Sequence, residues 1–227
     1  MKAGIDKKEI PNLNNDRHFS LADRLVSEFD TGLRTLFGKP EITERENPAN
    51  KIAESELSEE QQRHAAGLMR VNHAGEVCAQ ALYQGQALTA RDPEVARQMH
   101  RSALEENDHL DWCASRCKEL GTHTSVLGPF WYVGSLTIGA IAGVAGDKWS
   151  LGFVAETEHQ VVRHLDSHLA QIPEKDKKTR AILEQMKEDE SHHATVALHA
   201  GGAELPMPVK TFMGLTSKIM TKAAYWV

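Results

Sequence analysis

The sequence predicts an all-α protein whose centre is a four-helix bundle. Three observations carry this. Glu106-Asn107-Asp108-His109 and Glu190-Ser191-His192-His193 each set a Glu and a His about one helical turn apart on one face. A lone acid in a helical stretch precedes each pair, Glu76 standing 30 positions before Glu106 and Glu158 standing 32 before Glu190, so one helical hairpin pattern is used twice. Aromatic residues make up 6% of the chain while Ala, Leu, Glu and Gln recur, which favours helix over sheet. No strand pattern of useful length interrupts this.

Residues 1–57 read as an N-terminal extension and linker, and residues 58–227 as the main domain. In the extension, His18 to Phe37 is amphipathic through Phe19, Leu21, Leu25, Phe29, Leu33 and Leu36, and Gly38-Lys39-Pro40 stops it; residues 38–57 are polar. The first bundle helix starts at Ser58, where Ser58-Glu59-Glu60-Gln61 fits a capping box, and runs to about Ala90. Asp92-Pro93-Glu94 begins the second, which continues to Gly121. Thr124 to Gly146 carries no charged residue, yet Pro129 and five glycines dilute it. That favours a short helix embedded in the bundle or at an interface over a membrane span. Its Gly139-xxx-Gly143 spacing suits close approach to a neighbouring helix. Asp147 is placed to cap the third bundle helix, which runs to Gln171, and the fourth covers about Glu174 to Ala200 before Gly201-Gly202. Residues 209–227 are amphipathic, with Val209, Phe212, Met213, Leu215, Ile219, Met220 and Trp226 among Lys210, Lys218 and Lys222; this suits either an interfacial helix or one closing the bundle.

Composition removes several function classes. The chain of 227 residues has a net charge of −6 and no dense Lys/Arg cluster, so nucleic acid is not expected as a partner. Its three cysteines, without a CxxC pair, form neither a disulfide framework nor a thiolate zinc site; they suit a reducing compartment, with Cys113 and Cys117 as core residues. The N-terminus lacks the apolar run of a secretory signal and is too acidic for a transit peptide.

The faces decide which acids point inward. Glu158 shares its face with Leu151, Val154, Ala155, Val161, Val162 and Leu165, where an unpaired carboxylate would cost several kcal/mol to bury. Glu156 is rotated away and expected in solvent. The fourth helix turns Leu183, Met186, Glu190, His193, Ala194 and Ala197 inward, the second Met99, Ala103, Glu106, His109, Leu110 and Cys113. The first contributes Met69, Asn72, Glu76, Ala79 and Tyr83, with Gly75 leaving room beside the carboxylate.

A Glu from each of two helices and an ExxH from each of the other two is the ligand set of ferritin-like dinuclear carboxylate proteins. The predicted fold is therefore a ferritin-like four-helix bundle with extra N-terminal, membrane-facing and C-terminal amphipathic helices. Glu76, Glu106, His109, Glu158, Glu190 and His193 are the expected metal ligands, Glu106 and Glu190 bridging, with one His per metal. Carboxylate and imidazole donors suit iron or manganese better than zinc. Asp189, Glu105 and His73 are candidates for hydrogen bonds to the ligands, since a metal-bound imidazole donates its second nitrogen to a carboxylate. Tyr83, on the inward face, is a candidate contact for substrate or the oxidant. His192, His159 and His164 are read as structural or solvated.

With the ligands placed, the surrounding words resemble the Coq7 family, the demethoxyubiquinone hydroxylases of ubiquinone biosynthesis. They are Arg70-Val71-Asn72-His73-Ala74-Gly75-Glu76, Glu106-Asn107-Asp108-His109-Leu110, Glu156-Thr157-Glu158-His159 and Asp189-Glu190-Ser191-His192-His193. The resemblance covers residues 58–227 and is closest to bacterial members; Asn72 stands where some members carry Asp. It implies two irons on the six ligands named, and an O2-dependent monooxygenase hydroxylating the ring of a polyprenyl methoxy-methyl-benzoquinol. It implies an enzyme peripheral to the cytoplasmic face of the bacterial cell membrane, with a second copy of the chain or other ubiquinone-biosynthesis proteins as candidate partners. No dinucleotide or flavin motif is present, so the reducing power is expected from an external reductant or from the quinol itself. Rival readings are a ferroxidase or peroxide-scavenging di-iron protein, and a non-catalytic helical module on a membrane surface.

Overall fold

The structure is a computed structural model that describes residues 21–38, 42 and 45–227. Among the described residues every regular element is a helix: α1 Leu21–Phe37, α2 Glu59–Thr89, α3 Pro93–Glu119, α4 Gly128–Val144, α5 Asp147–Gln171, α6 Lys177–His199 and α7 Met207–Trp226. The bundle is two hairpins, α2–α3 and α5–α6, with α4 as the crossover between them; α2 also packs on α4 and α7.

Local chemistry sets most boundaries. Ser58 Oγ accepts from Gln61 N while Gln61 Oε1 accepts from Ser58 N, closing the expected capping box. Asp92 Oδ1 accepts from Glu94 N, and Pro93 occupies the first turn of α3. Three starts differ from the sequence reading. α6 begins at Lys177 because Pro173 to Asp176 form a turn and Asp176 caps the helix by accepting from Thr179 N. α7 begins at Met207 because Pro208 is tolerated in a first turn. Asp147 does not cap α5 but reaches back, accepting from the backbone of Arg91 and Asp92, and so ties the start of α5 to the α2–α3 loop. Gly146, at φ +110°, makes the turn before it.

The glycine pair of α4 does bring it onto α2. A Cβ at Gly139 would stand 2.3 Å from Leu82 O, and one at Gly85 would stand 2.3 Å from Leu136 O, so backbone meets backbone at this crossing. α4 spans 17 residues, and no helix among the described residues is long and apolar enough to cross a membrane. α1 lies on α2 and α4. It turns Gly32, Thr35 and Leu36 inward and leaves Val26, Phe29, Leu33 and Phe37 exposed. Phe19 lies outside the described residues, and so do the side chains of Leu21 and Leu25. Residues 45–57 lie against the bundle, with Ala49 and Leu57 joining its core.

Two apolar clusters fill the bundle. One holds Met69, Trp112, Cys113, Leu165, Ile182 and Met186; the other holds Tyr83, Met99, Leu151, Val154 and Ala197. Each bundle helix contributes to both, and the proposed ligands lie between those contributions in sequence. The polar residues therefore form a band across the middle of a greasy bundle.

Candidate metal centre

Glu76, Glu106, His109, Glu158, Glu190 and His193 are all buried, and the fold brings them together in this band. His109 Nδ1 lies 3.0 Å from Glu106 Oε2, 3.1 Å from Glu190 Oε1 and 3.5 Å from Glu76 Oε2. His193 Nδ1 lies 3.2 Å from Glu106 Oε1 and 3.2 Å from Glu190 Oε2. Glu106 and Glu190 thus each turn one oxygen to one imidazole and the other oxygen to the second. Donor atoms of Glu76, Glu106, His109 and Glu190 all fall within 4.8 Å of one another.

The outer face of each imidazole is also satisfied. His109 Nε2 lies 3.0 Å from Asp189 Oδ2, and His193 Nε2 lies 2.7 Å from Glu105 Oε2. The two pairings cross the bundle: Asp189 of α6 serves His109 of α3, and Glu105 of α3 serves His193 of α6. Both rings are held with Nδ1 inward and Nε2 outward, the orientation that a carboxylate imposes on a metal-binding histidine. His73 is half-buried on α2 and joins none of the hydrogen bonds around the cluster; burial alone lowers its pKa to about 4. Tyr83 donates to Glu158 Oε1 at 2.5 Å, so its hydroxyl is committed to a carboxylate of the cluster. Burial and the Glu158 charge push the Tyr83 phenol well above its usual range.

The electrostatics are those of acids and imidazoles crowded together out of water. Burial, then the charges of Glu106 and Glu190, push Glu76 well above the ordinary carboxylate range; Glu158 is raised in the same way. Burial opposes charge on the histidines too, but their carboxylate partners win, holding His109 well above its usual value and pushing His193 up to about 12. Glu106 is held below the usual range, since both imidazoles outweigh the burial that would raise it. Glu158 Oε2 is buried without a hydrogen-bond donor, and Glu76 Oε2 and Glu106 Oε1 are buried beside imidazole nitrogens at 3.5 and 3.2 Å that are out of hydrogen-bonding alignment. Such oxygens are costly to leave unsatisfied. Oxygen and imidazole donors of this number and closeness fit a pair of divalent metal ions.

A cavity of about 390 Å³ opens onto the cluster at Glu76. Its walls are mostly apolar, from Val71, Phe153, Leu165, Met213 and Met220, and Phe130, Phe212 and Ile219 at its lining are also exposed to the outside. It therefore runs from the surface between α4 and α7 inward to the acids. Gly75 lines it beside Glu76, and a Cβ there would meet no atom within 4 Å.

Residues 63–224 match the model of the family described as "Ubiquinone biosynthesis protein COQ7". The chain belongs to the COQ7 family. COQ7 relatives named 3-demethoxyubiquinol 3-hydroxylase include one from Nitrosococcus oceani, 63% identical over 93% of this chain and 99% of its own length. Those from Acinetobacter baumannii and Legionella pneumophila strain Paris are 56% and 57% identical, again over 93% of this chain and 100% of theirs.

Two features of this COQ7 chain escaped the sequence reading. His164, read there as structural or solvated, lines the cavity with its Nε2 buried and unpartnered, and Trp131, which also lines it, has its indole N–H buried and unpartnered. Neither stands in a motif; only the packing of the helices around the cavity brings both to its lining. Glu156, expected in solvent, is half-buried and faces Arg163 at 3.1 Å and Lys210 of α7 at 3.7 Å. His159 and His192 are exposed.

Proposed function

We propose that this chain is a 3-demethoxyubiquinol 3-hydroxylase of ubiquinone biosynthesis, with two iron ions held by Glu76, Glu106, His109, Glu158, Glu190 and His193. The observation that carries the reading is a buried carboxylate–imidazole cluster opening through Glu76 onto an apolar cavity. Iron bound there would supply O2 activation, with electrons from an external reductant. Glu106 and Glu190, each facing both imidazoles, would help hold the iron, Asp189 and Glu105 would hold the imidazoles, and Tyr83 would orient Glu158. The apolar walls suit an aromatic ring and an isoprenoid tail. A peroxide-scavenging or ferroxidase role would leave this cavity without a purpose.

Gly75→Leu tests the route. Its side chain would enter the cavity beside Glu76, so iron uptake should stay at the wild-type level while quinol hydroxylation falls by about 100-fold, the cost of displacing a reacting group by an ångström or so. An unchanged rate would show that the ring does not enter here.

The enzyme would work as a peripheral protein at the cytoplasmic face of the bacterial membrane. Phe130 and Val133 on α4 and Phe212, Leu215 and Ile219 on α7 are exposed, with Lys218 and Lys222 beside them. Lys210 instead faces Glu156 and Glu204. Phe212→Asp combined with Ile219→Asp should weaken flotation with anionic vesicles by at least about 100-fold, because each lost apolar anchor is worth about 1.5–3 kcal/mol. Wild-type protein that stays off the vesicles would sink this part of the reading.

A further inference from the structure

We propose that Arg45, supplied by the segment before the bundle, is a positioning residue of the metal centre. It holds Asp189 against His109 Nε2 and so fixes how His109 Nδ1 faces the metal. The inference rests on the dinuclear reading above and goes beyond its ligands. Arg45 lies outside residues 63–224, which the family model matches.

Arg45 Nη2 donates to Asp189 Oδ2, the same oxygen that lies 3.0 Å from His109 Nε2. Gln185 Nε2 donates to the other oxygen, Oδ1, at 3.0 Å. Both oxygens of Asp189 are therefore pinned. Arg45 Nε also stands 3.9 Å from Asp108 Oδ2, on the turn of α3 that carries His109. The Arg45 guanidinium lies 5.1 Å from the centre of the Trp112 ring, and that ring lies 5.3 Å from the His109 imidazole. One side chain from outside the bundle thus rests on the Trp112 face and bears on His109 through the Asp189 oxygen that both share.

The other half of the centre is built differently. Glu105, which faces His193 Nε2, has its other oxygen 3.4 Å from Arg101 Nε, on a side chain 84% exposed. An exposed pair of that kind holds its partners weakly. The Arg45 side chain is 35% exposed and Asp189 16%. The two metal positions should then respond differently to loss of their arginines.

Cobalt(II) titration of the full metal-free chain, followed by visible absorption, tests this. Wild type should take up two cobalt ions. Arg45→Gln should weaken one of the two binding steps by about 10-fold, the lower end of what losing an outer partner of a ligating histidine costs, and leave the other unchanged. Arg101→Gln should change neither. Added to Asp189→Asn, Arg45→Gln should weaken cobalt no further, since the arginine acts through that carboxylate. Equal weakening of both steps, full additivity with Asp189→Asn, or a lowered Tm with unchanged cobalt constants would each overturn the proposal. A wild-type chain that takes up no cobalt would remove the dinuclear reading itself, and the proposal with it.

Discussion

Glu158→Ala should leave the demethoxy precursor to accumulate in a host that lacks its own hydroxylase, where the wild-type chain restores ubiquinone. The loss of rate should exceed about 100-fold, since even an outer partner of a metal ligand costs up to that much. Glu158 is buried with one oxygen on the Tyr83 hydroxyl and the other without a donor, and burial with the charges of Glu190 and Glu106 raises its pKa. A carboxylate so placed costs several kcal/mol unless a proton or a cation neutralises it. The metal-free Glu158→Ala chain should therefore be at least as stable as metal-free wild type, while the rise in Tm on adding ferrous iron anaerobically shrinks. Wild type should take up two irons per chain. Normal ubiquinone from the Glu158→Ala form would show that this acid is not a ligand.

Arg116→Met should produce the largest loss of stability outside the metal band, about 3–5 kcal/mol, because it strips the partner from a buried charge. Arg116 is 1% exposed. Its Nη2 donates to Asp176 Oδ1 at 2.9 Å, its Nε to Thr179 Oγ1 at 2.9 Å, and its Nη1 to Glu54 and Glu119 at 2.6 and 2.7 Å. Asp176 is fully buried and also caps α6, so one guanidinium joins α3, the start of α6 and the segment before α2. Urea unfolding of the metal-free forms would measure the loss. The same pairing gives an acid dependence: the Arg116 guanidinium holds the Glu54 carboxyl down at about 2, against an ordinary 4.5. A depressed carboxylate contributes stability that is complete above its unfolded value and lost as pH falls through the folded one. Wild type should therefore lose stability between pH 4.5 and 2, and Arg116→Met should lose less over that window. An Arg116→Met chain as stable as wild type would show that Asp176 finds another partner.

The buried cluster of acids and imidazoles was legible in the sequence because helical periodicity is rigid. Glu106 and His109, or Glu190 and His193, cannot leave a common face without unwinding the helix, and the apolar stripe around Glu158 requires that acid to point inward. Capping chemistry is equally local, so Ser58 and Asp92 marked their helix starts. Asp147 failed as a cap for a related reason. Its side chain had a choice between its own helix and the backbone of Arg91 and Asp92, and only packing made that choice.

By itself, then, the sequence determined the helices, the inward acids and imidazoles, and the close approach of α4 through its glycines. These depend on neighbours within a turn or two. The tertiary structure decided what meets across the bundle. It crossed Asp189 to His109 and Glu105 to His193, set Tyr83 on Glu158, opened a cavity at Glu76 lined by His164 and Trp131, and brought Arg45 to the back of the centre. Contacts between residues 75 to 144 positions apart follow from how helices pack in space, and no periodicity along the chain encodes them.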